Sequence, residues 1–434
     1  MHRFFCALIL CVCCCFAVPA HAETYTLEGA VIRALKANPG VEARLHALDR
    51  AKMNIGVAQS YFWPRVSLVS SNNILQNAGD AGSTDDLSST SYTHGWRVSY
   101  PLFAGFAHLN NLLKSKLNAE MDAARYDQAE LELIANVQLQ FLNLLKARED
   151  LKTVEESISR LETQLKSSEA FVNVGMAPYA NVLQNKVDLS KAQQEKIRVQ
   201  NRIRNTEVQL NQYLGYPPNQ EMTYKGSLKD FFGEVGYSEE QAIKMALCSR
   251  PDLIIAQKSI AVAFKDLNMT LGEYLPRVDI NYDKMEYEKD YDSKRYKDYS
   301  RSYWAVGLNV TWDVFTGGST TFGALGGRKQ VLALQKEYEN TMTQARTDVI
   351  RALLDIKAAK DLIKVSRVSV DSARESYAMA NKRYLTNSGT ITELLDAQMR
   401  LTQAQTDASQ ALLEFHSARA KFYFNIGQKN VPLK

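Results

Sequence analysis

The chain carries the same short landmarks twice, at a constant separation of 212 residues. The recurring pairs are Pro64-Arg65-Val66 with Pro276-Arg277-Val278, Phe103-Ala104-Gly105 with Phe315-Thr316-Gly317, Ala34-Leu35 and Pro39 with Ala246-Leu247 and Pro251, and Leu214-Gly215 with Ile426-Gly427. Because unlinked landmarks hold one offset without a net gap, the sequence predicts an internal duplication. Each half must therefore fold as the same kind of unit.

Residues 1–22 have the pattern of a secretory signal. A basic start at His2 and Arg3 precedes an apolar run over 4–16 and the small-x-small sequence Ala20-His21-Ala22. We expect the mature chain to begin at Glu23. A membrane anchor is the alternative, but the run is shorter than the ~20 apolar residues of a spanning helix. A lipid-anchored start at Cys15 is a further alternative.

Cysteine content and charge narrow the function classes. Five of the six cysteines lie in the predicted signal, and only Cys248 follows it, so a disulfide framework or cysteine-based metal site within the mature chain is excluded. The full chain carries 52 Lys and Arg against 48 Asp and Glu, and loss of Arg3 leaves a charge of about +3. This near balance argues against nucleic acid as a main partner.

The sequence contains no recognisable spacing of catalytic or phosphate-binding residues. After the signal the histidines are His46, His94, His108 and His416, which lie far apart and without HExxH spacing. The glycine-rich stretch 316–324 follows a predicted strand, but it lacks the Lys that a phosphate-binding P-loop requires. We therefore expect no enzymatic activity, no metal and no cofactor.

Each half has the same predicted order of elements. The first repeat spans 23–215, a connecting segment spans 216–237, and the second repeat spans 238–434. A short helix opens each repeat and ends before Pro39 or Pro251, because the residue before a proline avoids helical angles. A second helix then ends near Pro64 or Pro276.

Two strands follow in each half, within 64–103 and 276–315. Apolar and polar residues alternate along them, which indicates strands with one apolar face. The apolar set is Tyr92, Trp96, Val98, Tyr100 and Leu102 in one half, and Trp304, Val306, Leu308, Val310, Trp312 and Val314 in the other. Strands of ~10 residues with aromatic ends and long polar connections, here 70–91 and 283–302, are typical of lipid-facing barrels. A soluble hairpin with one dry face is the alternative.

A long helical pair completes each half, over 105–215 and 318–427. Apolar and small residues recur in steps of four and three from Tyr338 to Tyr384, and the same register runs from Val137 to Val172. Helices of ~65 residues are ~100 Å long. A filamentous coiled coil is the alternative, but it leaves the strands unexplained.

Four strands per chain cannot close a barrel alone. In lipid an open sheet edge leaves backbone groups unpaired at several kcal/mol each, so closure requires further copies. Two copies would give eight strands with an interior filled by side chains, and three would give twelve strands with a lumen.

The duplicated landmarks and one further segment resemble the TolC family of outer-membrane channel proteins, over essentially all of 23–430. The further segment is Gly389-Thr390-Ile391-Thr392-Glu393-Leu394-Leu395-Asp396-Ala397-Gln398. The resemblance implies a mainly α fold with a transmembrane β part: a homotrimer with a 12-stranded β-barrel among outer-membrane lipid and a long α-helical barrel in the periplasm. It also implies a periplasmic adaptor protein and an inner-membrane transporter of the ABC or RND type as partners, for efflux or type I secretion.

The same resemblance implies roles for residues at the helix breaks. Glu393 and Asp396 match acids that ring the pore, and three copies would bring six carboxylates together. Tyr384 matches a position that helps to hold the entrance shut, although its spacing to Gly389 departs from the family pattern by two residues. The turns that dock the adaptor correspond to Gly175 with Met176 and to Asn387-Ser388-Gly389.

Simpler explanations exist for each of these residues. Glu393 and Asp396 would favour the first turn of any helix by their charge. The glycines would serve any turn, and we expect Gly175 and Gly389 to take the left-handed conformation that ends a helix. A periplasmic coiled-coil adaptor or structural protein is the alternative function.

Overall fold

The computed structural model describes residues 24–77, 87–231, 236–291 and 297–430. The predicted signal at 1–22, with Cys15, lies outside these residues. The elements are β1 (Thr24–Tyr25), α1 (Leu27–Ala37), α2 (Pro39–Ser60), β2 (Arg65–Asn77), β3 (Leu87–Ala104), α3 (Ala107–Asn173), α4 (Ala180–Tyr213), β4 (Thr223–Tyr224), a 3-10 turn (Leu228–Phe231), α5 (Glu239–Ser249), α6 (Pro251–Gly272), β5 (Arg277–Tyr291), β6 (Tyr299–Thr311), α7 (Ser319–Leu385) and α8 (Ile391–Asn425).

The internal repeat is visible as one element order used twice. Two short helices, two strands and two long helices follow one another in each half. Pro39 and Pro251 each occupy the first position of the second short helix, where the missing N–H costs nothing. In the first half Asn38 also caps that helix, since its side chain accepts hydrogen bonds from the N–H groups of Gly40 and Val41.

One antiparallel sheet joins the two halves. Its strand order is β2-β3-β5-β6, so the two hairpins meet where β3 pairs with β5, and β2 and β6 form the edges. One face carries highly exposed apolar side chains, among them Leu68, Trp304 and Leu308. On the other face Arg97 Nε donates to Asp283 Oδ1 at 2.6 Å.

The strands differ from their predicted bounds. They are 13, 18, 15 and 13 residues long, so much of 70–91 and 283–302 lies in strands and not in connections. The prediction was wrong there because ladder hydrogen bonds join backbone groups and do not need apolar side chains. β6 also ends at Thr311, so Val314 and Phe315 lie beyond it.

A register shift interrupts β3 close to its end. Pro101 is paired with Asp279 and Phe103 with Val278, so Leu102 is the extra residue. Proline cannot donate to a ladder and is often found at bulges. The alternation predicted through Leu102 is therefore broken at this residue.

The long helices are present as predicted and pack along most of the expected seam. α3 and α7 each have 67 residues, and α4 and α8 have 34 and 35. Val137, Leu144 and Leu161 are buried, whereas near the end of α3 the buried positions are Gln164 and Ser168. A heptad register drifts on a helix with 3.6 residues per turn, which moves the predicted Leu165 to a half-buried position. No helix among the described residues is both long and apolar enough to span a membrane.

Candidate functional site at the helical tips

The first helical tip is the turn between α3 and α4. Gly175 has a φ of +76°, its N–H donates to the carbonyl of Val172, and the N–H of Met176 donates to the carbonyl of Phe171 at 2.8 Å. These bonds satisfy carbonyls that the end of a helix leaves open. Val174, Met176 and Tyr179 are exposed, so the first tip presents an apolar surface.

The second helical tip, between α7 and α8, uses another residue for its reversal. Asn387 has a φ of +58°, whereas Gly389 lies outside the left-handed region, so the prediction for Gly389 was wrong. Asparagine tolerates this conformation better than most residues. Gly389 instead lies close to the end of α7, because a Cβ there would lie 3.0 Å from Cβ of Arg383, tighter than most such contacts. Asn387 and Ser388 are exposed, which makes this tip polar.

The two acids lie on the first turns of α8. Thr390 caps this helix, since its hydroxyl accepts a hydrogen bond from the N–H of Glu393 at 3.2 Å. The Glu393 carboxylate lies 3.6 Å from Nη2 of Arg383, and both side chains are exposed, so the pair contributes little to stability. Asp396 is exposed on the same side of the helix and has no ion pair within the described residues.

Tyr384 is buried and joins three helices. Its hydroxyl lies 2.7 Å from Oγ of Ser168 on α3, and Nδ2 of Asn185 on α4 donates to that same Oγ at 2.6 Å. Its ring packs edge-on against Phe171, with 5.6 Å between the centroids. The last turn of α7 is thus attached to the first helical pair through polar groups that solvent does not reach.

Sequence reasoning missed the partners of these residues. Arg383, Ser168 and Asn185 complete the interactions of Glu393 and Tyr384. The available signal was the position of Ser168, a polar residue on the predicted seam, three residues after Leu165 and four before Val172. Its partner is 216 residues away in the chain, and no local pattern reports that distance.

The described residues include no cluster of three His, Cys, Asp or Glu side chains that could hold a metal ion. The buried histidine, His416, instead donates from Nε2 to the carbonyl of Leu228 at 2.8 Å. Burial lowers the pKa of His416 to about 4, the hydrogen bond to Leu228 opposes this shift, and the charge of Arg419 adds to it. Its role is therefore to hold the connecting segment onto α8.

The sequence matches one protein family through both repeats. The family model described as Outer membrane efflux protein matches residues 31–216 and 242–428. The outer membrane efflux protein BepC of Brucella suis biovar 1 is 21% identical, over 90% of this chain and 85% of its own length. The pyoverdine export outer membrane protein OpmQ of Pseudomonas putida is 22% identical, over 80% of this chain and 72% of its own length.

The fold is also similar to solved structures. The outer-membrane channel OprN superimposes with a TM-score of 0.81 at 18% identity, and the match covers 94% of this chain and 91% of that one. So high a coverage leaves out little of either chain. It shows that the two share one fold.

Proposed function

Since the chain belongs to the outer membrane efflux protein family, we propose that three copies of it close into one channel through the outer membrane. The protein is an outer-membrane channel for efflux or type I secretion, as its homologues are. The proposal concerns its assembly, the gate at its entrance and its partners.

The open edges of the sheet carry the proposal. β2 and β6 are long edge strands, and the exposed apolar face next to them suits lipid. An edge in lipid must be paired, and β6 of one copy beside β2 of the next pairs both edges in a ring. Three copies give twelve strands and a lumen, whereas two give eight strands whose interior would be filled.

The surface of α7 supports contact between copies in the helical part as well. Leu354, Val365 and Val368 lie along this helix and are more than half exposed. Exposed apolar stripes of this kind mark surfaces that another chain covers. Neighbouring copies would cover them and extend the ring of strands into a helical tunnel.

The tips are the proposed entrance of that tunnel. Three copies would bring six carboxylates, from Glu393 and Asp396, around one axis and favour cations there. The hydrogen bond between Tyr384 and Ser168 supports a role in the closed state, because it holds the end of α7 against α3. Opening would have to break it.

The adaptor and the transporter are proposed partners at the same end. The first tip offers the exposed apolar side chains of Val174, Met176 and Tyr179, and the second offers the polar turn Asn387-Ser388. An adaptor would thus bind an apolar surface at the first tip, whose turn contains Gly175. At the second tip it would bind a polar surface, whose turn contains Gly389. An ABC or RND transporter in the inner membrane would supply the cargo.

Single-channel recording in a planar bilayer tests this function. We expect small, discrete, cation-selective currents from a trimeric species, and block by a trivalent cation from one side only. Heat-modifiable migration on gels would report the assembled oligomer. Protein that is folded and soluble without detergent but gives no conductance would contradict the channel and favour a periplasmic coiled-coil protein.

A further inference from the structure

A small cavity lies between α3 and α7, and Tyr384 is among the residues that line it. Its volume is about 190 Å³. Liquid water occupies about 30 Å³ per molecule, so the cavity has room for a polyatomic ligand. Its polar lining includes Arg160, Thr163, Gln164 and Ser167 on α3 and Tyr377, Asn381 and Tyr384 on α7.

Gln164 is the first reason to assign a ligand to this cavity. The residue is only 6% exposed, and neither its Nε2 nor its Oε1 has a hydrogen-bond partner in the described part of the chain. Burying an amide without partners costs about 1–3 kcal/mol per group. A side chain this costly in a core position indicates a partner outside the chain.

Arg160 is the second reason. Its Nε and Nη2 are buried and make no hydrogen bond with the described residues, although the side chain is 20% exposed overall. Nη1 lies 3.8 Å from Oε2 of Glu156, and the guanidinium carbon lies 5.8 Å from the ring centroid of Tyr377. Neither contact uses the three N–H groups that Nε and Nη2 carry.

The available groups define the chemistry of the ligand. Thr163 and Ser167 donate their hydroxyls to carbonyls one turn back. Among the lining residues, the buried donors that have no partner in the described chain belong to Arg160 and Gln164. A guanidinium with open N–H groups binds planar carboxylates and phosphates strongly, because the hydrogen bonds are charge-assisted. Water would satisfy the amide, but an oxyanion would satisfy it and also accept charge-assisted hydrogen bonds from the buried N–H groups of Arg160, which the Glu156 carboxylate beside Nη1 does not reach.

We propose that this cavity binds a small oxyanion, a phosphate or a carboxylate, held by Arg160 and Gln164. The ligand would lie between α3 and α7 and hold them together beside Tyr384. Binding is a property of the folded chain by itself. Only its consequence, stabilisation of the closed entrance, rests on the proposed channel function.

Thermal unfolding of the full-length protein in detergent tests the site. We expect the midpoint to rise with inorganic phosphate and to keep rising with log concentration, relative to chloride at equal ionic strength. Sodium acetate is the second arm. A rise with both indicates a general carboxylate and phosphate site, and a rise with phosphate alone restricts the ligand to phosphate.

Two substitutions at the site and one control make the result specific. Arg160→Gln should abolish the dependence on phosphate and acetate. Gln164→Glu should also abolish it, because the new carboxylate supplies the anion in place, and this variant should fold at least as stably. Arg374→Gln is the control, since that arginine is exposed on α7 and lies 3.9 Å from Asp371, and it should behave as wild type.

Each contrary outcome overturns the site. A wild-type midpoint that ignores both anions would do so, as would a dependence that survives Arg160→Gln and Gln164→Glu. Planar-bilayer recording separates this proposal from the channel function. Protein that conducts no current but shows the anion-dependent midpoint would refute the channel and leave the site standing. Protein that forms channels but shows no anion-dependent unfolding midpoint would refute the anion site and leave the channel function standing.

Discussion

The hydroxyl of Tyr384 and the hydroxyl of Ser168 lie 2.7 Å apart, and both side chains are buried between α7 and α3. Ser168 also accepts a hydrogen bond from Asn185, so three helices share one polar contact. Breaking this contact would leave buried hydroxyl groups without a hydrogen-bond partner, because solvent does not reach them. The loss of free energy would be larger than for an exposed hydrogen bond.

Tyr384→Phe should open the entrance more often. The change removes a hydrogen bond worth about 1 kcal/mol, which is about a fivefold change in the ratio of open to closed states. The measurement is single-channel open probability, with unit conductance expected to stay the same. Tyr179→Phe, at an exposed tyrosine of the first tip, is the matched control. Equal open probabilities for the two variants would remove Tyr384 from the gate.

Glu393→Ala combined with Asp396→Ala should weaken block of the channel by multivalent cations. Removing both acids takes six negative charges from the proposed ring, while both side chains are exposed and the helix retains its Thr390 cap. The measurement is the concentration of a trivalent cation that halves the current from the periplasmic side. Glu42→Ala with Asp49→Ala, at exposed positions of α2, is the control. Unchanged block in the ring variant would exclude these acids from the pore.

Asn387→Ala should destabilise the second tip, and Asn387→Gly should not. Asn387 has a φ of +58°, where alanine pays about 1–2 kcal/mol, asparagine pays less because its short polar side chain can hydrogen-bond locally, and glycine pays nothing. Thermal unfolding of the detergent-purified protein would measure the difference. Thr392→Ala, at an exposed position in the first turn of α8, is the control, because its backbone is helical. Equal midpoints for Asn387→Ala and Asn387→Gly would contradict the assignment of the turn.

His416 should make stability depend on pH. Its pKa is about 4 in the folded chain and about 6.5 when unfolded, so the unfolded state binds the proton first as the pH falls. The stabilisation is complete above about pH 6.5 and is lost progressively down to about pH 4, by at most about 3 kcal/mol.

His416→Gln isolates this contribution, because an amide can still donate to the carbonyl of Leu228 but does not titrate. The difference in unfolding midpoint between wild type and variant should narrow or reverse as the pH falls from 7.5 to 4.5. A difference that stays constant over this range would show that His416 is not the responsible group.

Much of the fold could be predicted because its signals are local or periodic. The helix starts at Pro39 and Pro251 follow from the chemistry of single residues. The lengths of α3 and α7 follow from a seam that repeats along the chain. The end of β2 at Asn77 and the start of β6 at Tyr299 could not be predicted, because backbone pairing continues along segments whose side chains show no apolar alternation.

The duplication, the order of elements and the family resemblance were set by the sequence by itself, since each depends on residues close together or at a fixed offset. Only the tertiary structure decided which residues meet at the tips. Ser168 contacts Tyr384, which is 216 residues later in the sequence. Arg160 on α3 lies over the ring of Tyr377 on α7. The physical reason is that a heptad pattern specifies which face of a helix is buried, whereas the packing of several helices specifies which side chains on that face come into contact.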